Sequence, residues 1–384
     1  MESSDVDQLL KSGMRQKSCC RPRKVRKADG TYSYVRCQSK KASECVACST
    51  LFLTDQKRLI GSGCNASERD GITEEMLSGF RFYFVTLTAP SFGGIHRVPK
   101  GKDSASVVCK CGKRHQHGSE FRGTPTSPRW YKYREQARWN QASSQLFKRT
   151  IKYTEDLLPA VEWSFAREWQ VRGALHFHGI VRVPAEYDEV QTWQALQRMR
   201  TYTYGDFEWG KEIDVQVISG DSASGSVRYM AKVVAYTAKQ QGEEGPISAT
   251  RRRHYERLDW HAARLVCGKR GCRGDGTCEG AAHRSFGYAG QMITRSQGWS
   301  LAGLTRGTLV LERKKYATEN ASSQHQMRLE TLAKAWDTER RAELNQSLVT
   351  TGLNRDLLRE VEDAFFGKTA GESSSVSGGV ATVN

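Results

Sequence analysis

The sequence predicts an α+β fold, with a central antiparallel sheet flanked by helices, a cysteine-rich N-terminal module and a helical C-terminal extension. Period-two alternation of apolar residues recurs in RFYFVTLTAPS (81–91), AVEWSFAREWQ (160–170), ALHFHGIVRVP (174–184) and GKEIDVQVI (210–218), which marks strands. Helical apolar spacing fills much of the remainder. Six of the eleven cysteines lie between Cys19 and Cys64, in a basic stretch.

The 384 residues suffice for two domains or for one domain with insertions. With 59 Lys and Arg against 42 Asp and Glu, the formal net charge is +17. That surplus points to a polyanionic partner, with nucleic acid the first candidate. No apolar run approaches the ~18 residues that cross a bilayer. The opening MESSDVDQLLKSG is acidic and polar, unlike a secretory signal, which predicts a cytoplasmic protein with reduced thiols and no membrane partner.

In chain order, 1–14 reads as a flexible N-terminus and 15–66 as the cysteine-rich basic module. Residues 78–245 read as the main sheet-bearing domain, with a Cys/His insertion at 100–125. Its first strand, at 81–91, places Tyr83, Val85 and Leu87 on one side. Trp130, Tyr133, Ala137, Phe147 and Ile151 space a helix from about 128 to Leu158, which Pro159 stops. The two runs that follow form a hairpin about Val171, Arg172 and Gly173. A helix over 187–201, a strand at 210–218 and a helix over roughly 226–240 complete this domain. Residues 246–316 read as a basic, DNA-binding region with a cysteine loop, 320–366 as the helical extension, and 367–384 as a disordered tail.

Alternate strand residues share a face, so His176 and His178 project together while Phe177 turns to the core. Two imidazoles so placed can converge on one divalent ion. The partner strand offers Glu168 and Gln170 as a third ligand, Glu168 having the alternation to share the face. Such a set leaves coordination positions on Mg²⁺ or Mn²⁺ open to a phosphate oxygen. RYMAKVVAYTAK (228–239) carries Tyr-x-x-Lys twice, as Tyr229 with Lys232 and Tyr236 with Lys239. The tyrosines, two helical turns apart, share a face flanked by both lysines.

A strand, a His-x-His hairpin, a further strand and a Tyr-x-x-Lys helix form an order that resembles HUH endonucleases. FVTLTAPSFG (84–93), EWQVRGALHFHGIVR (168–182), the YMAK…YTAK helix and AAHRSFGYAGQMITRSQGW (281–299) narrow the likeness to replication initiators of actinobacterial rolling-circle plasmids. It covers roughly residues 19–316. The resemblance implies an HUH-type sheet and a metal-dependent, ATP-independent nicking and closing enzyme for plasmid origin DNA, single-stranded or extruded as a hairpin. It implies a 5′-phosphotyrosine intermediate and a free 3′-OH, with a host helicase and DNA polymerase as partners. Carried over, His176 and His178 are ligands, Glu168 or Gln170 completes the site, and Tyr229 or Tyr236 is the nucleophile. Related initiators space their paired tyrosines four apart. Val233 stands in the second slot here, so alignment on the first Tyr-x-x-Lys selects Tyr229 and on the last Tyr236.

Cys20-x16-Cys37-x7-Cys45-x2-Cys48 suits tetrahedral structural Zn²⁺, with Cys19 able to replace Cys20. Cys109, Cys111, His115 and His117 could bind a second zinc; Cys267, Cys272, Cys278 and His283 form a weaker third candidate. RWYKYREQARW (129–139) interleaves cations and aromatics, either for base stacking or as an amphipathic helix with buried rings. The rival readings are a relaxase or transposase with the same chemistry, a zinc-containing DNA-binding regulator without catalysis, and a zinc-dependent RNA nuclease. No G-x-x-x-x-G-K-[ST] loop is present, which disfavours an initiator with a built-in ATPase.

Overall fold

A computed structural model of the chain describes residues 19–26, 29–40, 44–99, 108–218, 247–283 and 285–320. The expected helix at 226–240, with Tyr229, Lys232, Tyr236 and Lys239, lies outside them. So do residues 1–14, the tail, and all of the C-terminal extension but Asn320.

Two compact units divide the chain, and each is described by itself. In the smaller, Cys19–Cys37, strands β1 (Arg23–Arg26) and β2 (Tyr32–Val35) pair antiparallel. Asp29 Oδ1 accepts from Thr31 N and Oγ1 and shapes the turn. The β1 side chains RKVR are all exposed.

The larger unit, Gln38–Ala321, is built on a five-stranded antiparallel sheet. Its strands are β3 (Phe80–Thr88), β4 (Glu162–Trp169), β5 (Leu175–Pro184), β8 (Ile213–Ile218) and β9 (Ile293–Arg295), in the order β8-β3-β5-β4-β9. The two-residue strands β6 (Thr203–Tyr204) and β7 (Phe207–Glu208) form a separate ribbon. Alternation assigns the faces. Tyr83, Val85, Leu87, Phe165, Phe177 and Val183 are fully buried on one face, beneath Trp139, Leu146, Phe147 and Ile151 of helix α3 (Tyr133–Leu157). The α3 indole and its cover are satisfied: Trp139 Nε1 donates to Glu208 O and Trp209 Nε1 to Thr150 Oγ1. Helix α2 (Glu74–Ser78) leads into β3, its N-cap Thr73 accepting from Met76 N.

On the opposite face Ala166, Ile180 and Ile218 pack with Phe52 and Ile60 of helix α1 (Val46–Gly61) and with Trp299. Gly179 belongs to the first face, beside Val85 and Phe165 in the sheet's centre, where a Cβ would stand 2.4 Å from the Phe165 ring. Helix α4 (Glu189–Arg198) starts on Asp188, whose carboxylate accepts from Gln191 N. Helix α5 (Ala249–Ala263) starts on Ser248, which accepts from Arg251 N, and helix α6 (Arg306–Asn320) follows Thr305. Arg313 of α6 forms a two-bond ion pair with Asp55 of α1. Among the described residues no helix is long and apolar enough to cross a membrane.

Candidate functional site

The second sheet face changes character along β5. From its C-terminal end the face-two residues run Arg182, Ile180, His178, His176, so apolar cover by α1 gives way to imidazoles. Antiparallel register sets Thr86 and Ala166 beside His178, and Thr88 and Glu168 beside His176. The two imidazole centroids are 5.1 Å apart and nearly perpendicular. His178 is 5% exposed and stacks on Phe84.

His178 Nε2 lies 3.1 Å from Glu168 Oε2, and its Nδ1 lies 3.1 Å from Thr86 Oγ1. A hydroxyl both donates and accepts, so Thr86 serves either tautomer. It donates to Nδ1 when Nε2–H points at Glu168, and accepts from Nδ1–H when the Nε2 lone pair faces a cation. The site therefore places a carboxylate oxygen and an imidazole nitrogen together without fixing which species lies between them.

Gln170 is oriented differently. Arg172 Nε donates to its Oε1 at 2.7 Å, which turns the amide nitrogen toward His176 Nε2 at 2.8 Å. The amide then donates to His176, whose proton resides on Nδ1. Arg172 also donates to Pro90 O and Ala89 O, just beyond β3. Burial lowers the Arg172 pKa. The two candidate third ligands thus separate: Glu168 faces His178, while the carbonyl oxygen of Gln170 is held by a guanidinium.

The hairpin tip that carries these groups is gripped by α5. His254 approaches Arg172 O with Nε2 (3.0 Å) and the Tyr133 hydroxyl with Nδ1 (3.3 Å), and Tyr255 donates to Val171 O. Burial drives the His254 pKa down to about 4. The ring is then neutral, Nε2–H donates to Arg172 O, and Nδ1 accepts from Tyr133. Asn140 Nδ2 donates to both Gly173 O and Phe286 O. Gly173, with φ +76, could not carry a Cβ, which would meet Leu258 of α5 at 2.6 Å. Arg172, His254 and Asn140 were not legible as site supports, since each also bonds backbone carbonyls far away in sequence.

None of the eleven cysteines is disulfide-bonded. In the hairpin unit Cys19 is fully buried, its sulfur accepting from Cys37 N at 3.3 Å, whereas Cys20 is only half-buried. In the larger unit Cys45 and Cys48 are buried at the start of α1.

The insertion gathers His96, Cys109, Cys111 and His115, with all four ligand atoms within 4.8 Å of one another. His96 Nδ1 lies 3.1 Å from His115 Nε2 and 3.5 Å from Cys109 Sγ, and Cys111 Sγ lies 3.3 Å from His115 Nε2. Zinc at about 2.3 Å from sulfur and about 2.0–2.1 Å from nitrogen gives tetrahedral edges of about 3.4–3.5 Å, close to these values. Burial beside His115 lowers the His96 pKa, which favours the neutral, ligating ring. His117 is exposed and turned to Pro99 O instead. His96 enters because the Ile95↔Pro125 bridge folds its segment back over the insertion, and only this pairing across 30 residues of sequence reveals it. Cys267, Cys272, Cys278 and His283 form a further group of the same compactness.

In RWYKYREQARW, Tyr131, Tyr133, Ala137 and Trp139 are buried, while Trp130 is 75% exposed beside Arg129. The buried rings agree with the amphipathic-helix expectation, and Trp130 stays on the surface. Arg252 and Arg253 of the arginine run are exposed on α5, as are Arg257 and Trp260.

A family model described as RepSA, replication initiator protein of pSAM2, matches residues 12–352. The chain belongs to the RepSA replication initiator family. A curated replication initiator protein of Streptomyces ambofaciens is 27% identical over 264 residues, covering 59% of this chain. The chain spans 56% of that relative's length. No solved structure matches. The match encloses the hairpin histidines, all three thiol-bearing groups and the tyrosine stretch at 228–239.

Proposed function

We propose that this chain is a plasmid rolling-circle replication initiator of HUH type, which nicks and rejoins single-stranded origin DNA through a tyrosine. Family membership supports the initiator role. The observation that carries the chemistry is the pairing of His178 with Glu168 beside His176 on one sheet face, at the point where apolar cover ends. Glu168 and His178 would hold Mg²⁺ or Mn²⁺, joined by His176 once its Nε2 exchanges the Gln170 amide for the ion. Such an ion polarises a scissile phosphate and offsets the charge that develops on it. Gln170 is a positioning residue, locked by Arg172 so that its amide orients His176.

In the proposed reaction the hydroxyl oxygen of Tyr229 or Tyr236 attacks phosphorus and loses its proton to solvent. The bond to the 3′ oxygen breaks, that oxygen takes a proton, and a 5′-phosphotyrosyl link remains. Transfer in reverse rejoins the strand, so no ATP is consumed. Lys232 and Lys239, each three residues after a tyrosine in the sequence, would lower the cost of the phenolate. Structural Zn²⁺ is assigned to His96, Cys109, Cys111 and His115. The exposed Arg23, Lys24 and Arg26, with Arg129, Trp130 and Arg253, supply phosphate and base contacts to origin DNA. A host helicase and polymerase complete the process.

The test is a covalent-adduct assay. Full-length protein is incubated with Mn²⁺ and labelled origin oligonucleotide, then run on a denaturing gel. A metal-dependent shifted band, lost in His178→Ala and in one of Tyr229→Phe or Tyr236→Phe, is the expected result. Tight origin binding with no adduct under any metal would overturn the reading in favour of a non-catalytic regulator.

A further inference from the structure

The loop from Arg264 to Gly280 carries Gly268, Gly271, Gly274, Gly276 and Gly280, and its one large apolar residue after Leu265, Val266, is 63% exposed. A segment of this composition has no apolar core to order it. It nonetheless brings three thiols and one imidazole from across 17 residues of sequence to within 4.8 Å of one another. Cys267 Sγ and Cys278 Sγ are 3.8 Å apart, and Cys272 Sγ is 3.4 Å from His283 Nε2. A disulfide would need sulfurs at about 2.05 Å. Tetrahedral zinc gives sulfur–sulfur edges of about 3.8 Å and sulfur–nitrogen edges of about 3.5 Å.

The imidazole supplies the second, independent observation. His283 is 6% exposed, and its Nδ1 lies 3.1 Å from Ala262 O at the end of α5. With Nδ1–H committed to that carbonyl, Nε2 presents its lone pair to the three sulfurs, the arrangement that fixes metal-bound histidines. Gly280 N also points at Cys278 Sγ (3.5 Å), and a Cβ at Gly280 would stand 3.1 Å from Cys267 Sγ. The close backbone approach leaves room for sulfur ligands and little else.

We propose that Cys267, Cys272, Cys278 and His283 form a Cys₃His structural zinc site that pins the C-terminal end of α5. Through His254, Tyr255 and Leu258, the same helix holds the hairpin tip at Val171–Gly173. The zinc therefore acts as a remote brace for the strands bearing His176 and His178. The site stands on its own donor geometry and does not depend on the nicking chemistry.

Two measurements on full-length protein test it. Native wild type is treated with iodoacetamide before and after chelator, and the thiols are mapped by peptide mass. Cys267, Cys272 and Cys278 are expected to be protected as isolated and to label rapidly once metal is stripped. Equal labelling in both states means ordinary half-exposed thiols and overturns the proposal. Metal content is then compared between wild type and Cys272→Ser/Cys278→Ser. The expected loss is one zinc per chain with the other groups still loaded, and unchanged zinc content likewise refutes the site.

Discussion

Acidification should loosen the hairpin tip through one residue, His254. Its ring is 3% exposed and bonded to Arg172 O and the Tyr133 hydroxyl, and burial drives its pKa from the ordinary 6.5 to about 4. The folded state thus resists a proton that the unfolded chain accepts. Stability from this group is complete above pH 6.5 and drains away as pH falls toward 4. That change is worth about 3 kcal/mol in full, and about 2 kcal/mol between about pH 7 and about pH 5. Denaturant unfolding of wild type and His254→Gln at those two pH values isolates the effect, since carboxylates titrate alike in both proteins. Wild type should lose about 2 kcal/mol more than the variant. Equal losses would show that the imidazole is not held neutral against the Arg172 carbonyl, and the account of α5 as the tip's support would fall with it.

Two further outcomes follow from the site geometry. His96→Ala should remove one equivalent of zinc measured by mass spectrometry, whereas His117→Ala should remove none, the reverse of what sequence adjacency suggests. Trp130→Ala should weaken single-stranded DNA binding, read by fluorescence anisotropy, by about 1–3 kcal/mol while leaving thermal stability unchanged, because the ring is solvent-exposed.

What could be read in the sequence was whatever repeats locally. Alternation in LHFHGIVRV put Phe177 in the core and the histidines on the other face, and the spacing from Trp130 to Ile151 anticipated α3 within a few residues. The β4–β5 hairpin about Val171–Gly173 was visible because Gly173 marks a turn between two alternating runs. Helix α5 was hidden: its buried stripe is His254, Leu258 and Ala262, and the surrounding arginines read as a mere basic region. Strand β9 is three residues long, too short to show a period. Arg172 and His96 escaped for one reason. Each acts on partners brought together by tertiary pairing, and neither spacing nor propensity encodes that.

The same geometry changes how the net charge should be understood. Arg182 is 3% exposed and donates to Gly63 O, Trp299 O and Gly298 O, and Arg167 is equally buried, over the Phe147 and Phe177 rings. Arg172 donates from all three of its nitrogens, to Gln170 and two carbonyls. These guanidiniums are desolvated and committed to the protein, so they release no counterions on DNA and add nothing to the salt dependence of binding. The exposed cations of β1, of the α3 N-terminus (Arg129, Lys132, Arg134, Arg138) and of α5 (Arg252, Arg253, Arg257) remain available for that. A basic sequence thus uses arginine in two ways. Some hold strand ends and the hairpin tip where backbone carbonyls converge, and the others present their charge to solvent.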